Sequence, residues 1–454
     1  MKRILFLTLA VFPVICNSYA QAPSRPDMAF EKVVYPAYPV MSVDEAIANA
    51  LQNNYSIQLV KNDSASYALD ASYKNAAFLP RLNGNIGTAW NVNAQKQILS
   101  DGTKREKSGI KSNNLTAQLA LNWTLFDGMK MFATRDKVDQ FVLMGEIAIK
   151  NQVINTVASV INTYYSIVRQ KQQLKAIEEQ MSISQERLKL AEYKLDIGVG
   201  TKPDVLQSKL DLNAQRAAKM EQESLISRLK EQLNELMVRQ DNKYEVSDTI
   251  PINFKLVLND LQRDIKNSSP ALQLAQKNID IARLTLKERE AERYPTVAFN
   301  GAYNFNRTNN KAVINSFSTL FNRNRGFNYG FTATIPIFNN YNNRRQIQQA
   351  KLDIGYQQLV FKQQESQISY SIINAYLDYE LQKRILVLEE ENILIAKENV
   401  NIVFQVYKLN STTQIQLKEA QKSLEDAYTR LIAARFNTKT AETELLRLNG
   451  GLIK

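Results

Sequence analysis

The sequence predicts a mainly α-helical chain with a minority of membrane-crossing β-structure, laid out as a tandem duplication. Three observations predict it: matched motifs recur at a nearly constant spacing, four segments alternate apolar and polar residues, and helical periodicity runs much longer than a globular helix needs.

The repeat is the frame. Asn54-Tyr55-Ser56-Ile57-Gln58-Leu59 parallels Ser269-Pro270-Ala271-Leu272-Gln273-Leu274, and Phe78-Leu79-Pro80 parallels Arg293-Tyr294-Pro295, both 215 residues apart. Leu125-Phe126-Asp127 matches Ile337-Phe338-Asn339 at 212, and Tyr193-Lys194-Leu195 matches Tyr407-Lys408-Leu409 at 214. The order is preserved, so the chain divides into repeats at 21–257 and 258–454.

Residues 1–20 read as a secretory signal. Lys2 and Arg3 precede an apolar run from Ile4 to Ile15, and Ser18-Tyr19-Ala20 puts small residues at the cleavage positions. The run is too short for the ~20 residues that span a bilayer. Cys16 invites a lipoprotein reading, against which Ile15 is a poor small-residue neighbour. Cleavage after Ala20 would leave neither cysteine nor histidine, which excludes disulfides, zinc-type sites and Cys/His nucleophiles. The net charge of +12 falls by two without Lys2 and Arg3; an exported chain meets little nucleic acid, and no phosphate-binding glycine loop is present. No cofactor is expected.

Each repeat opens with a helix, at 42–77 and 259–293. Ser42-Val43-Asp44-Glu45 has capping-box spacing, and Pro80 and Pro295 push their predecessors towards extended geometry. Strands follow at 82–94 and 115–126, and again at 296–306 and 327–338. Leu82, Ile86, Trp90, Leu119, Trp123, Phe299, Tyr303, Tyr329 and Phe331 fall on one face, and Asn, Thr and Gly fill the other. A soluble antiparallel sheet over a core is one reading. Strands of ~9–11 residues, aromatics on the apolar face and an uncharged polar face favour transmembrane strands. The polar links 95–114 and 306–326 then resemble extracellular loops. No other segment is apolar enough for a membrane helix, so the membrane part is a barrel. Four strands cannot enclose a pore, and open edges are not tolerated in lipid. Several chains must share the barrel, and three, giving twelve strands, is the simplest closed arrangement.

Helical periodicity then runs over 129–197 and 341–409, ~100 Å at 1.5 Å per residue, with shorter return helices at 202–240 and 414–449. The seams step by three and four, as in coiled coils: Leu174, Ile177, Met181, Ser184, Leu188, Ala191, Leu195 in one long helix and Ile385, Leu388, Asn392, Ile395, Asn399, Ile402, Val406, Leu409 in the other. Two short helices stacked end to end would flank one long helix, with 241–257 forming a belt at the junction. A hollow helical cylinder and a plain rigid stalk both fit this pattern.

The chain resembles the TolC-like outer-membrane efflux family. The likeness rests on Trp123-Thr124-Leu125-Phe126-Asp127-Gly128 and Ile335-Pro336-Ile337-Phe338-Asn339-Asn340 at the strand-to-helix turns. It rests also on Ala191-Glu192-Tyr193-Lys194-Leu195-Asp196-Ile197-Gly198 leading into Pro203-Asp204-Val205-Leu206-Gln207, and on Tyr407-Lys408-Leu409-Asn410 leading into Glu419-Ala420-Gln421. The resemblance implies a homotrimer in the outer membrane of a Gram-negative cell, wetted by its lipid, whose barrel continues as an α-helical tunnel. It implies a periplasmic adaptor and an inner-membrane transporter of RND or ABC type as partners, no enzymatic activity, and export in an efflux or type I secretion system. A structural or adhesive coiled-coil envelope protein without a pore is the alternative.

The resemblance places the periplasmic tips at Gly198, Gly200, Asn410, Ser411 and Thr412. Asn410 stands where the family has glycine, and Gln416 where it often has a carboxylate. Asp204 and Glu419 are then candidate gate acids, although acids near helix starts are favoured in any case. Tyr193 and Tyr407 are either hydrogen-bonding latches or seam aromatics.

Overall fold

The computed structural model describes residues 38–263, 265–314, 317–409 and 411–453; the signal at 1–20, Cys16 and the tip residue Asn410 lie outside them. Residues 40–454 form one unit.

Its first part is a short strand β1 (Val40–Met41) followed by α1 (Val43–Asn53), which Ser42 and Glu45 start with a capping box. The helix expected over 42–77 is interrupted. Asn54 is extended at ψ 125° and its side chain accepts from Ser56 N at 3.0 Å and Ile57 N at 3.3 Å, starting a new helix, α2 (Tyr55–Ser72). A 3-10 turn over Lys74–Phe78 leads to Pro80. The counterpart expected over 259–293 is likewise broken into α5 (Leu258–Gln262), α6 (Ile265–Ser268) and α7 (Pro270–Ala291). Ser269 is extended at ψ 113° because Pro270 follows it, so the break recurs at the repeat-equivalent position.

The strands β2 (Arg81–Ile98), β3 (Lys104–Phe126), β5 (Thr296–Asn310) and β6 (Phe321–Thr334) form one antiparallel sheet in the order β2-β3-β5-β6. The first three outrun the expected ranges. Most of 95–114 is paired strand and not loop, because backbone ladders continue past the bulge at Asn93/Gln95 whatever the polarity of the side chains. The strand expected over 327–338 starts earlier and stops at Thr334: Pro336 has no N–H to extend the ladder.

Each strand pair turns into a long helix through two consecutive left-handed residues, Gly128 and Met129 (φ 72° and 73°) in the first half and Asn340 and Tyr341 (φ 54° and 60°) in the second. The Asp127 carboxylate accepts from Met131 N, and Asn339 Oδ1 from Asn343 N, so a side-chain acceptor meets the first turn in both halves. Gly128 has a second reason to be glycine: a Cβ there would lie 2.3 Å from the Ala291 carbonyl oxygen.

The long helices are α3 (Lys130–Asp196) and α8 (Asn342–Lys408); the return helices are α4 (Lys202–Met237) and α9 (Gln414–Leu448). In α9 Leu417, Ala420, Leu424, Ala427, Leu431, Ala434 and Thr438 are buried in three-four steps, as the sequence seam requires. In the tip half of α8 the buried residues are Leu386, Glu389, Ile393, Val400, Phe404 and Tyr407; of the seam read from the sequence, Leu388, Ile395, Ile402 and Leu409 lie exposed on this chain, whereas Ile385 and Val406 are half-buried, Ile385 against the α9-facing cluster. Two stripes therefore run along one helix, and only one faces α9.

Midway, β4 (Glu245–Val246) pairs parallel with β1, and Lys171 and Lys230 donate to the carbonyls of Val246 (2.9 Å) and Tyr244 (2.8 Å). A core of Val160, Tyr164, Ile167, Leu233, Met237 and Val246 sits beneath. Among the described residues no helix is long and apolar enough to cross a membrane.

Candidate functional site: the strand sheet and the helical tips

Register assigns every strand residue to a face. Gly84, Leu119 and Tyr303 are paired in turn, as are Leu82, Leu121, Gly301 and Tyr329, and Trp123, Phe299 and Phe331. These lie on one face with Ile86 and Trp90, and most of their side chains are exposed on the isolated chain. Phe299 and Phe331 rings meet at 5.2 Å. On the other face Asn122 donates to Asn300 (2.6 Å), Asn300 to Thr332 (3.0 Å) and Asn304 to Asn328 (2.6 Å), a ladder of amides that consumes hydrogen-bonding capacity without charge. One face suits hydrocarbon and the other water. The outer edges of β2 and β6 have no strand beside them among the described residues.

At the far end of the helices, the two hairpins turn beside each other. Gly198, at φ 79°, reverses the first; Gly200 packs so closely that a Cβ would be 2.7 Å from Leu195 N. Thr201 Oγ1 donates to Asp204 at 2.6 Å. In the second, Thr413 and Gln416 make a capping box, and Thr412 also donates to Gln416. Thus Gln416, at the position where the TolC-like family often has a carboxylate, holds the helix start. Lys194 lies 4.0 Å over the Tyr407 ring and donates to the Tyr407 carbonyl at 3.2 Å, joining the hairpins. Burial lowers the Lys194 pKa, with Asp204 opposing; burial, aided by Asp204, raises that of Tyr407.

One turn system above, Arg187 of α3 is 1% exposed. It donates to Asp211 of α4 at 2.6 Å and to Gln421 of α9 at 2.9 Å, and Lys418 of α9 reaches Asp211 at 3.0 Å. Burial pushes the Asp211 pKa up, but hydrogen bonds from Lys418 and Gln207 and the Arg187 guanidinium outweigh it, holding the carboxyl below its ordinary range.

The sequence pattern of the outer membrane efflux protein family matches residues 46–237 and 261–451. This chain belongs to that family. The double match is the duplication itself. Among solved structures, the Campylobacter jejuni CmeC outer membrane channel is similar at TM-score 0.76 and 14% identity over 91% of this chain and 86% of that one. The outer membrane protein VceC of Vibrio cholerae is similar at 0.73 and 14%, over 90% and 96%. CusC, whose structures concern transmembrane channel formation, is similar at 0.73 and 15%, over 95% and 99%. Among curated proteins, none matches this chain in sequence. As a member of the outer membrane efflux protein family the chain is an outer-membrane efflux channel protein.

Set on this efflux protein, the sequence-derived residues separate. Tyr407 is a buried seam aromatic whose hydroxyl has no hydrogen bond among the described residues, whereas Tyr193 is 61% exposed and joins no seam. Asp204 sits within the tip network, and Glu419 is exposed and unpaired among the described residues. Arg187 and Asp211 escaped the sequence reading. The signal was present: Arg187 falls between Ser184 and Ala191 on the inward stripe of α3, a place where a charge needs a partner.

Proposed function

We propose that the chain is the outer-membrane exit duct of a tripartite efflux or type I secretion assembly. It passively conducts substrates received from an inner-membrane transporter through a periplasmic adaptor. The observation that carries this is the sheet: four strands with an apolar face, an amide-lined face and two edges unpaired among the described residues. Edges in lipid must be paired, and β6 of one copy against β2 of the next does so; three copies make twelve strands. The exposed Leu388–Ile395–Ile402 stripe gives a second surface for the same neighbour.

At the tips, Asp204 and Glu419 would stand in threefold rings around the narrowest part of the bore, where like carboxylates attract cations. The test is conductance. Protein purified in detergent should run as a heat-sensitive trimer and conduct ions in a planar bilayer, and Asp204→Ala with Glu419→Ala should raise the conductance. A folded trimer that never conducts would sink the duct; unchanged conductance in the double variant would remove the gate assignment alone.

A further inference from the structure

The two rims of the sheet differ in charge. At the helix end three lysines are matched to acids, Lys130 to Glu292 at 2.7 Å, Lys137 to Glu288 at 2.5 Å and Lys74 to Asp139 at 2.6 Å, while Arg81, Arg293 and Arg344 make no ion pair among the described residues. At the hairpin end each strand's outward apolar run is closed by a cation: Lys96 on β2, Lys111 on β3, Arg307 on β5 and Arg325 on β6. Lys96 is paired with Glu106 at 3.3 Å. Lys111, Arg307, Arg323 and Arg325 make no ion pair among the described residues, and no Asp or Glu occurs between Glu292 and Asp353.

Arg307 and Arg323 are direct cross-strand partners, one step beyond the Phe305–Arg325 pair. Paired residues project from the same face, so two guanidinium groups stand side by side on the face that also carries Tyr303, Phe327 and Tyr329. Like charges placed opposite each other destabilise a sheet unless an anion lies between them. Guanidinium forks bind phosphate oxygens in bidentate fashion, and a cation at the boundary of an apolar band faces headgroups and not acyl chains.

We infer that Arg307 and Arg323, flanked by Arg325 and Lys111, form a binding site for the phosphate of an anionic lipid in the outer leaflet around the barrel. The site is continuous with the lipid-facing band, and its charge complements such a headgroup. The inference rests on the membrane-barrel reading of the sheet.

The full mature protein in detergent, titrated with diphosphoryl lipid A and followed by native mass spectrometry, provides the test. The wild type should bind this lipid in preference to its dephosphorylated form, and Arg307→Gln with Arg323→Gln should weaken binding at least about tenfold. Arg323→Glu guards against a folding artefact: it replaces the repulsion with an ion pair, so the lipid-free protein should melt no lower while still losing the lipid. Equal binding of the dephosphorylated lipid, full binding by the double variant, or displacement by equimolar inorganic phosphate would each overturn the site. Conductance of the same preparations is read in parallel. A silent wild type counts against the duct, while the titration still decides the lipid site.

Discussion

Tyr164 and Tyr379 occupy equivalent places in the two halves and make the same bond. Each is buried midway along its long helix, and each hydroxyl donates to the backbone of the segment wrapped outside it, Tyr164 to the Met41 carbonyl at 2.8 Å and Tyr379 to that of Asn253. Tyr164 also accepts from Ser247 N at 3.0 Å. The duplication thus preserved a fastening between belt and helix, although the wrapped segments differ in sequence.

Removing that hydroxyl strands buried backbone groups. Tyr164→Phe should cost ~1–3 kcal/mol in denaturant unfolding of the detergent-solubilised protein. Burial, with Glu442 and Glu380 adding to it, pushes the Tyr379 pKa up to about 12. A raised folded pKa means stability that is complete below the ordinary tyrosine pKa of ~10 and is lost as pH rises towards 12. Alkaline unfolding should therefore begin above pH ~10, and Tyr379→Phe should shift that onset.

Arg187 has no route to water, so its partner matters more than an exposed ion pair would. Asp211→Ala should destabilise by ~3–5 kcal/mol, because a buried guanidinium is left uncompensated. Asp211→Asn should cost less. Since the Asp211 pKa is depressed, its contribution is complete above the ordinary carboxylate pKa of ~3.9 and is lost only as pH falls through the lower folded value. Protection of the tip-helix amides against hydrogen exchange, taken relative to the intrinsic rate at each pH, should stay high at pH 5 and fall below about pH 4; loss of protection already at pH 6 would contradict this.

Gly128 and Asn340 are the first of the two left-handed residues at each strand-to-helix turn, and they should respond oppositely. Gly128→Ala must displace the Ala291 carbonyl and strain a backbone at φ 72°, a loss of more than ~1–3 kcal/mol. Asn340→Gly relieves a non-glycine at φ 54° and should be neutral or stabilising by up to ~1 kcal/mol. Thermal melting of the two variants checks the pair.

Leu388, Ile395 and Ile402 are exposed on α8 and lie outside the buried cluster that packs against α9. Leu388→Gln with Ile402→Gln should leave helical content unchanged while lowering the mass seen by light scattering from trimer to monomer. An unaltered trimer would show that the stripe is not a subunit contact.

The sequence alone determined the duplication, the alternating strands and the α9 seam, because periodicity records which side chains share a face and the Leu417–Thr438 steps have one solution. It also located Pro80, Pro295, Asp127 and Gly128 at the turns. Tertiary structure decided what periodicity cannot carry. The break at Asn54 depends on a side chain folding back onto its own backbone and on Leu236 accepting from it at 2.9 Å. The extension of β2 and β3 depends on backbone pairing that ignores side-chain polarity. Along α8 two apolar stripes compete, and which of them meets α9 is a choice of helix rotation. The Arg187–Asp211–Gln421 cluster joins three helices from distant parts of the chain, and only their packing brings a buried charge to its partners.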